Sequence, residues 1–181
     1  MDNGSENYRR FLEGDEAGLA AVIREYKDGL ILYLKGFTGD FHAAEDLAEE
    51  TFLRLLIKGP KDQGKASFKT WLYTIGRNVA LNDRRKRRPD VGLPEDSAYG
   101  TELEEAYLQE EEKRLLYRAL RSLNPDYQQI LWLVYFEGFS DREAAAVMKR
   151  SVHATETLVY RARNALRSAL EKEGFTHEND R

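Results

Sequence analysis

Cysteine is absent from the 181 residues of this chain, which excludes disulfide bonds and thiolate metal sites and is typical of a reducing compartment. Long apolar runs are absent too, since none approaches the roughly 18 residues that a membrane-spanning helix needs. The first residues, MDNGSENYRRFLEGDE, are polar and acidic and do not form a secretory signal. We therefore expect a cytoplasmic protein that does not insert into a membrane.

The residue patterns that mark common enzyme and metal sites are also missing. The sequence has no glycine-rich phosphate loop, no cysteine nucleophile and no cluster of histidines. His42, Glu45 and Glu49 share a helical spacing that metal ligands could use, but such spacings often arise by chance and few other histidines exist to complete a site. We expect no enzymatic activity, no metal and no cofactor.

Charge is distributed in blocks, which the net charge of −4 conceals. Residues 1–57 are acid-rich, and residues 58–88 are basic with very few acidic residues among them. Residues 89–112 carry many acidic side chains and no basic one, and the balance turns basic again from Arg142 onward. Two basic surfaces separated by an acidic connector that contains proline and glycine indicate two modules.

Almost every segment has the three- and four-residue apolar spacing of an amphipathic helix. Capping residues mark several boundaries, among them the pair Asn124-Pro125 and the capping box of Ser140 and Glu143. No convincing strand pattern occurs, so the sequence predicts an all-α fold with two small helical domains joined by an acidic flexible linker. The predicted helices span residues 16–37, 42–58, 67–89, 101–122, 125–138, 140–148 and 151–172.

The last two predicted helices, a short one and a long one joined by a tight turn, have the outline of a helix-turn-helix. In that motif the second helix enters the DNA major groove, where glutamate can accept from cytosine and arginine can bind guanine, while other cations contact phosphates. The same outline also arises by accident in helical proteins whose charged face is only solvated. The predicted inward stripe is Val152, Thr155, Val159, Ala162, Leu166 and Ala169, the base-facing set is His153, Glu156, Thr157, Tyr160 and Arg161, and the phosphate-facing set is Arg142, Lys149, Arg150, Arg163 and Arg167.

The stretch LRSLNPDYQQILWLVYFEGFSDREAAAVMKRSVHATETLVYRARNALRSAL resembles the promoter-reading C-terminal domain of bacterial sigma factors of the extracytoplasmic-function (ECF) group. That family has a proline-initiated apolar helix, a glycine, a Ser-x-x-Glu-x-Ala helix and an Arg-Ala-Arg-x-x-Leu ending. The chain departs from the family pattern in its turn, at His153 and at Glu156, so the DNA sequence that it reads does not follow from the resemblance. The matching residues are Asn124, Pro125, Gly138, Ser140, Glu143, Ala145, Arg161, Ala162, Arg163 and Leu166.

The N-terminal half resembles the same family. The segment AAEDLAEETFLRLL is similar to the family helix that docks on the clamp helices of the RNA polymerase β′ subunit. Taken by itself, this helix is amphipathic with an acidic outward edge, which suits a basic protein partner or is simply solvated. The resemblance implies polymerase-binding roles for Glu45, Asp46, Leu47, Glu49, Glu50 and Phe52.

Residues 67–88, SFKTWLYTIGRNVALNDRRKRR, resemble the family's Phe-x-x-Trp-Leu-x-x-Ile-x-x-Asn helix with its trailing arginines. The resemblance implies contact with the −10 promoter element and capture of the melted non-template strand. Single strands bind where a positive groove follows the backbone and aromatic or amide groups receive unstacked bases. Phe68, Leu72 and Ile75 are spaced as a core stripe, and Trp71 either joins them or contacts a base. The predicted −10 residues are Lys61, Lys65, Trp71, Arg77, Asn78, Asn82, Arg84 and Arg85.

Together, the motifs and the connector predict an alternative sigma factor that directs promoter-specific transcription initiation. The expected domains are 1–89 for polymerase clamp binding and −10 recognition, a linker at 90–111, and 112–181 for −35 recognition. Expected partners are core RNA polymerase, through its β′ clamp helices and β flap, an anti-sigma factor, and promoter DNA that is double-stranded at −35 and single-stranded at −10. The alternative is a stand-alone helix-turn-helix regulator of duplex DNA, which needs neither polymerase nor affinity for single strands.

Overall fold

A computed structural model of the protein describes residues 3–59, 66–87 and 111–174. These residues are helical and contain no β-strand, which confirms the predicted all-α class. Among them, no helix is long and apolar enough to cross a membrane. The helices are α1 (Asn3–Leu12), α2 (Glu16–Thr38), α3 (Phe41–Lys58), α4 (Phe68–Lys86), α5 (Glu111–Arg121), α6 (Pro125–Leu131), which a π-helical turn (Trp132–Phe136) continues, α7 (Asp141–Met148) and α8 (Val152–Lys172).

Side-chain caps mark the starts of several helices. The side chains of Asp40, Ser67 and Ser151 accept hydrogen bonds from first-turn backbone N–H groups of α3, α4 and α8. The predicted capping box at the start of α7 is confirmed, because the Ser140 side chain accepts from the Glu143 N–H and the Glu143 carboxylate accepts from the Ser140 N–H at 2.9 Å. These bonds satisfy N–H groups that a helix start otherwise leaves unpaired.

Helix α1 was not expected from the sequence, and the structure shows that it completes the N-terminal core. Tyr8 is 3% exposed, and its hydroxyl donates to the carbonyl oxygen of Leu55 on α3 at 3.1 Å. Gly18 allows α1 to approach α2, since a Cβ at this position would lie 2.3 Å from the carbonyl oxygen of Asn7. The helix has only 10 residues, and a helix this short depends on tertiary packing more than on its own periodicity.

Helices α1 to α4 form the N-terminal module around an aliphatic and aromatic core. Leu30, Leu55 and Leu72, from α2, α3 and α4, are each 0% exposed. Burial of each such side chain contributes about 1.5–3 kcal/mol. Gly76 brings α4 close to α2, because a Cβ there would lie 3.0 Å from Cδ1 of Leu30. This packing fixes which faces of α3 and α4 remain available to other molecules.

Helices α5 to α8 form the C-terminal module. Helix α5 is the described part of the predicted helix 101–122, whose predicted start at Thr101 lies outside the described residues. The predicted helix 125–138 is not uniform, since α6 gives way to the π-helical turn after Leu131 and the chain turns at Gly138, which has a φ of 70°. A left-handed backbone of this kind favours glycine, so the sequence position of the turn is correct.

The inward stripe of α8 is confirmed at its centre and wrong at its start. Thr155 and Ala162 are 0% exposed, and Leu158, which the stripe did not include, is buried with them. The buried Thr155 hydroxyl donates to the Ser151 carbonyl oxygen at 3.0 Å. Val152 is instead 42% exposed, because it lies at the edge of the stripe in the first turn of the helix.

The two modules pack directly against each other, an arrangement that the sequence did not indicate. Helix α4 packs on α7, and α2 packs on α6. The rings of Tyr73 on α4 and Phe139 before α7 meet edge to face with centroids 5.3 Å apart. At the other side, the Arg121 guanidinium donates to the Lys35 carbonyl oxygen at 3.3 Å. The buried apolar residues of both modules therefore form one continuous cluster.

Candidate nucleic-acid interface

The outward face of α8 carries the side chains that the sequence assigned to base reading. His153, Glu156, Tyr160 and Arg161 are exposed, with Tyr160 at 67%. Thr157 is half-buried, and its hydroxyl donates to the His153 carbonyl oxygen at 3.0 Å. Ser151 caps the start of α8, and the opposite stripe is buried, so the helix presents this face to solvent.

Cations surround the base-facing set. Arg142, Arg150 and Arg163 are exposed, and Arg150 pairs with Asp126 at the start of α6. Lys149 occupies the turn between α7 and α8 with φ 53° and ψ 47°, a left-handed conformation that is uncommon for a residue with a side chain. The turn therefore places an exposed ammonium where many proteins have glycine. Arg167, the last of the predicted phosphate-facing residues, is also exposed.

Helix α4 has three different faces. Phe68, Leu72 and Val79 are buried and form the core stripe, and Ile75 is half-buried beside them. This confirms the core assignment of Phe68 and Leu72 and adds Val79 to it. The other two faces carry the polar residues that the sequence assigned to the −10 element. These residues do not all lie on the same face.

Trp71 packs inside the N-terminal module. Its ring meets Tyr8 at a centroid distance of 5.5 Å and Phe68 at 5.9 Å, both nearly edge to face. Such aromatic pairs contribute about 0.5–1.5 kcal/mol beyond the area that they bury. Trp71 is half-buried, so its main contacts in this structure are with the core and with α1, the helix that the sequence did not reveal.

The outward face of α4 carries amides and cations. Asn78 and Asn82 are half-buried, and the Arg85 guanidinium donates to the Asn82 side-chain oxygen at 3.0 Å. Arg84 is exposed, and Arg87 pairs with Asp83 at 2.7 Å. Lys61 and Lys65, the loop residues of the predicted set, lie outside the described residues. This face thus combines amides with positive charge near the end of the helix.

Arg77 lies on another face of α4, towards the C-terminal module. Its Nε donates to the side-chain oxygen of Gln129 on α6 at 3.3 Å. Burial raises the pKa of the neighbouring Tyr33 phenol well above its usual range, and the Arg77 charge acts in the opposite direction. The structure therefore does not bring Arg77 together with Asn78 and Asn82.

The predicted polymerase-binding residues on α3 divide into a surface set and a core set. Leu47 and Phe52 are 6% and 7% exposed and pack in the core. Glu45 lies 3.5 Å from the Lys27 ammonium. Glu50 pairs with Arg54 at 2.7 Å, one turn along the helix. The carboxylates of α3 that face solvent most fully are those of Asp46 and Glu49.

Three apolar residues that the sequence reading missed extend this surface. Leu53, Leu56 and Ile57 are 54%, 37% and 82% exposed. They follow Asp46 and Glu49 at the steps of three and four residues that place side chains on one helix face. An exposed apolar patch next to charged residues is typical of a protein-binding surface. The signal in the sequence was the apolar run at the end of the helix, which exceeds what one buried stripe requires.

No group of three or more histidine, cysteine, aspartate or glutamate side chains that could hold a metal ion occurs within residues 3–59, 66–87 and 111–174. His42 and Glu45 are 3.9 Å apart, and His42 is exposed.

Two family descriptions match the chain. Sigma-70 region 2 matches residues 22–89, and Sigma-70 region 4 matches residues 113–166. The first match contains α3 and α4, and the second contains the π-helical turn, α7 and most of α8. The predicted −10 residues thus lie within the first match, and the predicted DNA-facing residues around α8, apart from Arg167, lie within the second.

Individual relatives agree with these matches. The ECF RNA polymerase sigma factor EcfG of Rhodopseudomonas palustris is 36% identical over 142 residues, which are 76% of this chain and 76% of that protein. The ECF RNA polymerase sigma factor SigW of Bacillus subtilis is 28% identical over 172 residues, 87% of this chain and 91% of that protein.

Solved structures show the shared fold. CnrH in complex with the cytosolic domain of CnrY has a TM-score of 0.69 at 22% identity and covers 94% of this chain and 99% of that chain. The sigma factor RpoE in complex with the anti-sigma factor NepR from Bartonella quintana has a TM-score of 0.63 at 23% identity and covers 82% of this chain and 94% of that chain. On these matches, the chain belongs to the ECF group of RNA polymerase sigma factors, which are DNA-binding transcription initiation factors.

Proposed function

We propose that this protein binds core RNA polymerase and directs it to a specific class of promoters, with the C-terminal module on the −35 element and the N-terminal module on the −10 element. The observation that carries the proposal is the presence of two polar helix faces with exposed cations, on α4 and α8, inside the two matched sigma regions. The proposed domains keep the boundaries 1–89, 90–111 and 112–181.

At the −35 element, α8 would lie in the major groove. Glu156 suits the amino group of a cytosine, and Arg161 suits the O6 and N7 atoms of a guanine. The exposed cations at Arg142, Lys149 and Arg163 would contact phosphates, which fix the register and supply affinity without reading the sequence. With α8 in the groove, the left-handed turn at Lys149 would bring one of these cations to the groove entry.

At the −10 element, the outward face of α4 would hold an unpaired strand. Asn78 and Asn82 offer donors and acceptors to base edges, and Arg84 and Arg85 follow the phosphates. Removal of a base from the stack costs a few kcal/mol, which binding to a preformed site offsets. The protein would therefore promote melting through binding energy and would not act as an enzyme.

The polymerase contact is proposed for the surface of α3. Asp46 and Glu49 provide negative charge, and Leu53 and Ile57 provide exposed apolar area on the same side of the helix. Leu47 and Phe52 would support this surface from below. A partner helix with basic residues around an apolar strip would match it in both charge and apolar area.

An anti-sigma factor is proposed as a second protein partner. The solved structures of two proteins with this fold are complexes with CnrY and with the anti-sigma factor NepR. A protein that covers α3 or the outward face of α4 would withhold the chain from polymerase or from DNA. This part of the proposal predicts that a co-purified inhibitor protects those two faces from chemical labelling.

The decisive experiment combines the purified protein with bacterial core RNA polymerase and a library of promoter sequences, followed by sequencing of the transcripts. We expect transcripts that share a −35 and a −10 sequence. The double variant Leu53→Glu with Ile57→Glu should remove polymerase binding, whereas Leu12→Glu, another exposed apolar position, should not. Binding to duplex DNA without any polymerase-dependent transcript would reject the proposal in favour of a stand-alone regulator.

A further inference from the structure

One partly buried ion pair joins the two modules. The Lys69 ammonium on α4 lies 2.9 Å from Oε2 of Glu137 and donates to the carbonyl oxygen of Glu137 at 2.7 Å. The Glu137 side chain is 9% exposed, and its Oε1 accepts a hydrogen bond from the Trp132 indole N–H at 3.2 Å. Both carboxylate oxygens are thus engaged, as a carboxylate removed from water requires.

The π-helical turn aims Glu137 at α4. The Glu137 N–H donates to the carbonyl oxygen of Trp132 at 3.0 Å, which closes the turn and fixes the backbone of the glutamate. Lys69 is held from the other side, since its ammonium lies 5.2 Å from the ring centroid of Phe139 and 5.9 Å from that of Tyr73. Single π-helical turns inside helices are frequent at functional positions.

A glycine on α2 makes room for this ion pair. A Cβ added at Gly29 would lie 2.7 Å from Oε1 of Glu137 and 3.0 Å from the Tyr73 hydroxyl oxygen. The carboxylate could move away only by losing its bond from Trp132 or its contact with Lys69. By contrast, a Cβ at Gly36 on the same helix would meet only Gln128 Oε1, at 4.0 Å.

In this closed arrangement, the two DNA-facing helices lie too close together to use one promoter. Helix α7 packs on both α4 and α8. Packed helices are about 8–10 Å apart, so α4 and α8 lie within about 20 Å of each other. The −35 and −10 elements are separated by roughly 25 base pairs, or about 85 Å of straight duplex. This step rests on the proposed function.

We propose that the Lys69–Glu137 pair is a latch that holds the free protein closed, and that binding to polymerase and promoter opens it. Opening frees Lys69 and Arg77, whose guanidinium bonds Gln129 across the same contact, and adds two cations to the accessible surface of α4. The Tyr33 hydroxyl is buried without a hydrogen-bond partner among the described residues, which disfavours the closed state and keeps the latch reversible.

The test measures the distance between the modules in the full chain without polymerase or DNA. Because the chain has no cysteine, spin labels can be attached to the double variant Glu13→Cys with Ser168→Cys, whose positions are exposed in α1–α2 and α8. We expect one short, narrow distance distribution. Glu137→Gln and Gly29→Ala should each broaden it and shift it to longer distances, whereas Gly36→Ala should not.

Two further comparisons distinguish loss of the latch from a general loss of stability. Lys69→Glu and Glu137→Lys should each open the protein, and the double variant that exchanges the charges should close it again. Gly29→Ala should open the modules although alanine favours the helix over glycine. The latch is rejected if Glu137→Gln and Gly29→Ala leave the distance distribution unchanged. It is also rejected if the distribution without these substitutions is already as broad as theirs.

The affinity for core polymerase tests the functional consequence of the latch. If only the open form binds polymerase productively, Glu137→Gln should bind core polymerase about three- to tenfold more tightly, since the apparent dissociation constant scales inversely with the competent fraction. Equal affinity of the two proteins would reject this consequence. Failure of both to bind polymerase would reject the proposed function, while the distance measurement would still decide whether the latch exists.

Discussion

The polar faces of α4 and α8 differ in accessibility within the same structure. The base-facing residues of α8 point to solvent, and Tyr160 is 67% exposed. On α4, Asn82 and Arg85 point outward, whereas Arg77 is engaged by Gln129 of the other module. The predicted base-facing set of α8 is therefore accessible in this structure, whereas the predicted −10 residues of α4 are only partly so.

The proposed functions of the two helices would account for this difference. Duplex DNA presents its base edges without rearrangement, so a rigid, exposed helix is sufficient. Strand capture requires unpaired bases, and a fully exposed cationic face on α4 would bind any single strand at low salt. In this structure Lys69 is engaged by Glu137, whereas Arg84 and Arg85 at the end of the helix remain exposed.

The largest expected effect concerns Trp71. Its role, core packing or base contact, determines which faces of α4 are available to DNA. Trp71→Ala should lower the free energy of unfolding by about 2–3 kcal/mol, since the ring packs on Tyr8 and Phe68 and is half-buried. Trp71→Phe should retain most of this stability. Urea unfolding followed by circular dichroism measures both. Unchanged stability of Trp71→Ala together with weakened promoter melting would instead assign the ring to a base.

The next effect tests the cationic end of α4. Arg84→Ala with Arg85→Ala should lower promoter affinity about tenfold or more near physiological salt and flatten the slope of log affinity against log salt by about 1.4–1.8, because two phosphates are no longer neutralised. Potassium permanganate footprinting of the −10 region should show less melting. As a control, Arg9→Ala removes an exposed cation of α1, outside the proposed interface, and should leave the salt slope unchanged.

Much of the fold could be predicted from the pattern of residues that are close together in the sequence. The starts of α3, α4, α7 and α8 agree with their capping residues, and the buried stripe of α4 agrees with the spacing of Phe68 and Leu72. These features depend on neighbours three or four residues apart, which a sequence displays directly. The same signals identified the outward face of α8.

Features that depend on contacts between residues far apart in the sequence could not be predicted. The role of Trp71 depends on Tyr8 in a helix with little periodic signal of its own. The placement of Arg77 depends on Gln129, and the site of Glu137 depends on Lys69 and on the absence of a Cβ at Gly29. Helical spacing separates a core face from a polar face, but it does not separate two polar faces with different partners.

A smaller effect tests base reading by α8 against simple phosphate binding. Glu156→Ala should change the preferred base at one −35 position, with a loss of discrimination of about 1 kcal/mol for this single contact, and should change overall affinity much less. Sequencing of promoters selected by the variant holoenzyme measures the preference. Arg163→Ala, a neighbouring exposed cation, should weaken binding to all sequences alike. An unchanged preference in Glu156→Ala would remove this residue from the base-facing set.

The smallest effect concerns the turn that separates α7 from α8. Lys149 adopts φ 53°, where a side chain is strained and glycine is not. Lys149→Gly and Lys149→Ala both remove the exposed ammonium, so their difference isolates the backbone. We expect the glycine variant to be more stable than the alanine variant by about 0.5–1 kcal/mol in thermal unfolding, although both lose the same proposed phosphate contact. Equal stabilities would show that the turn relaxes when lysine is replaced, and that the lysine is not held in a strained position at the entry to the groove.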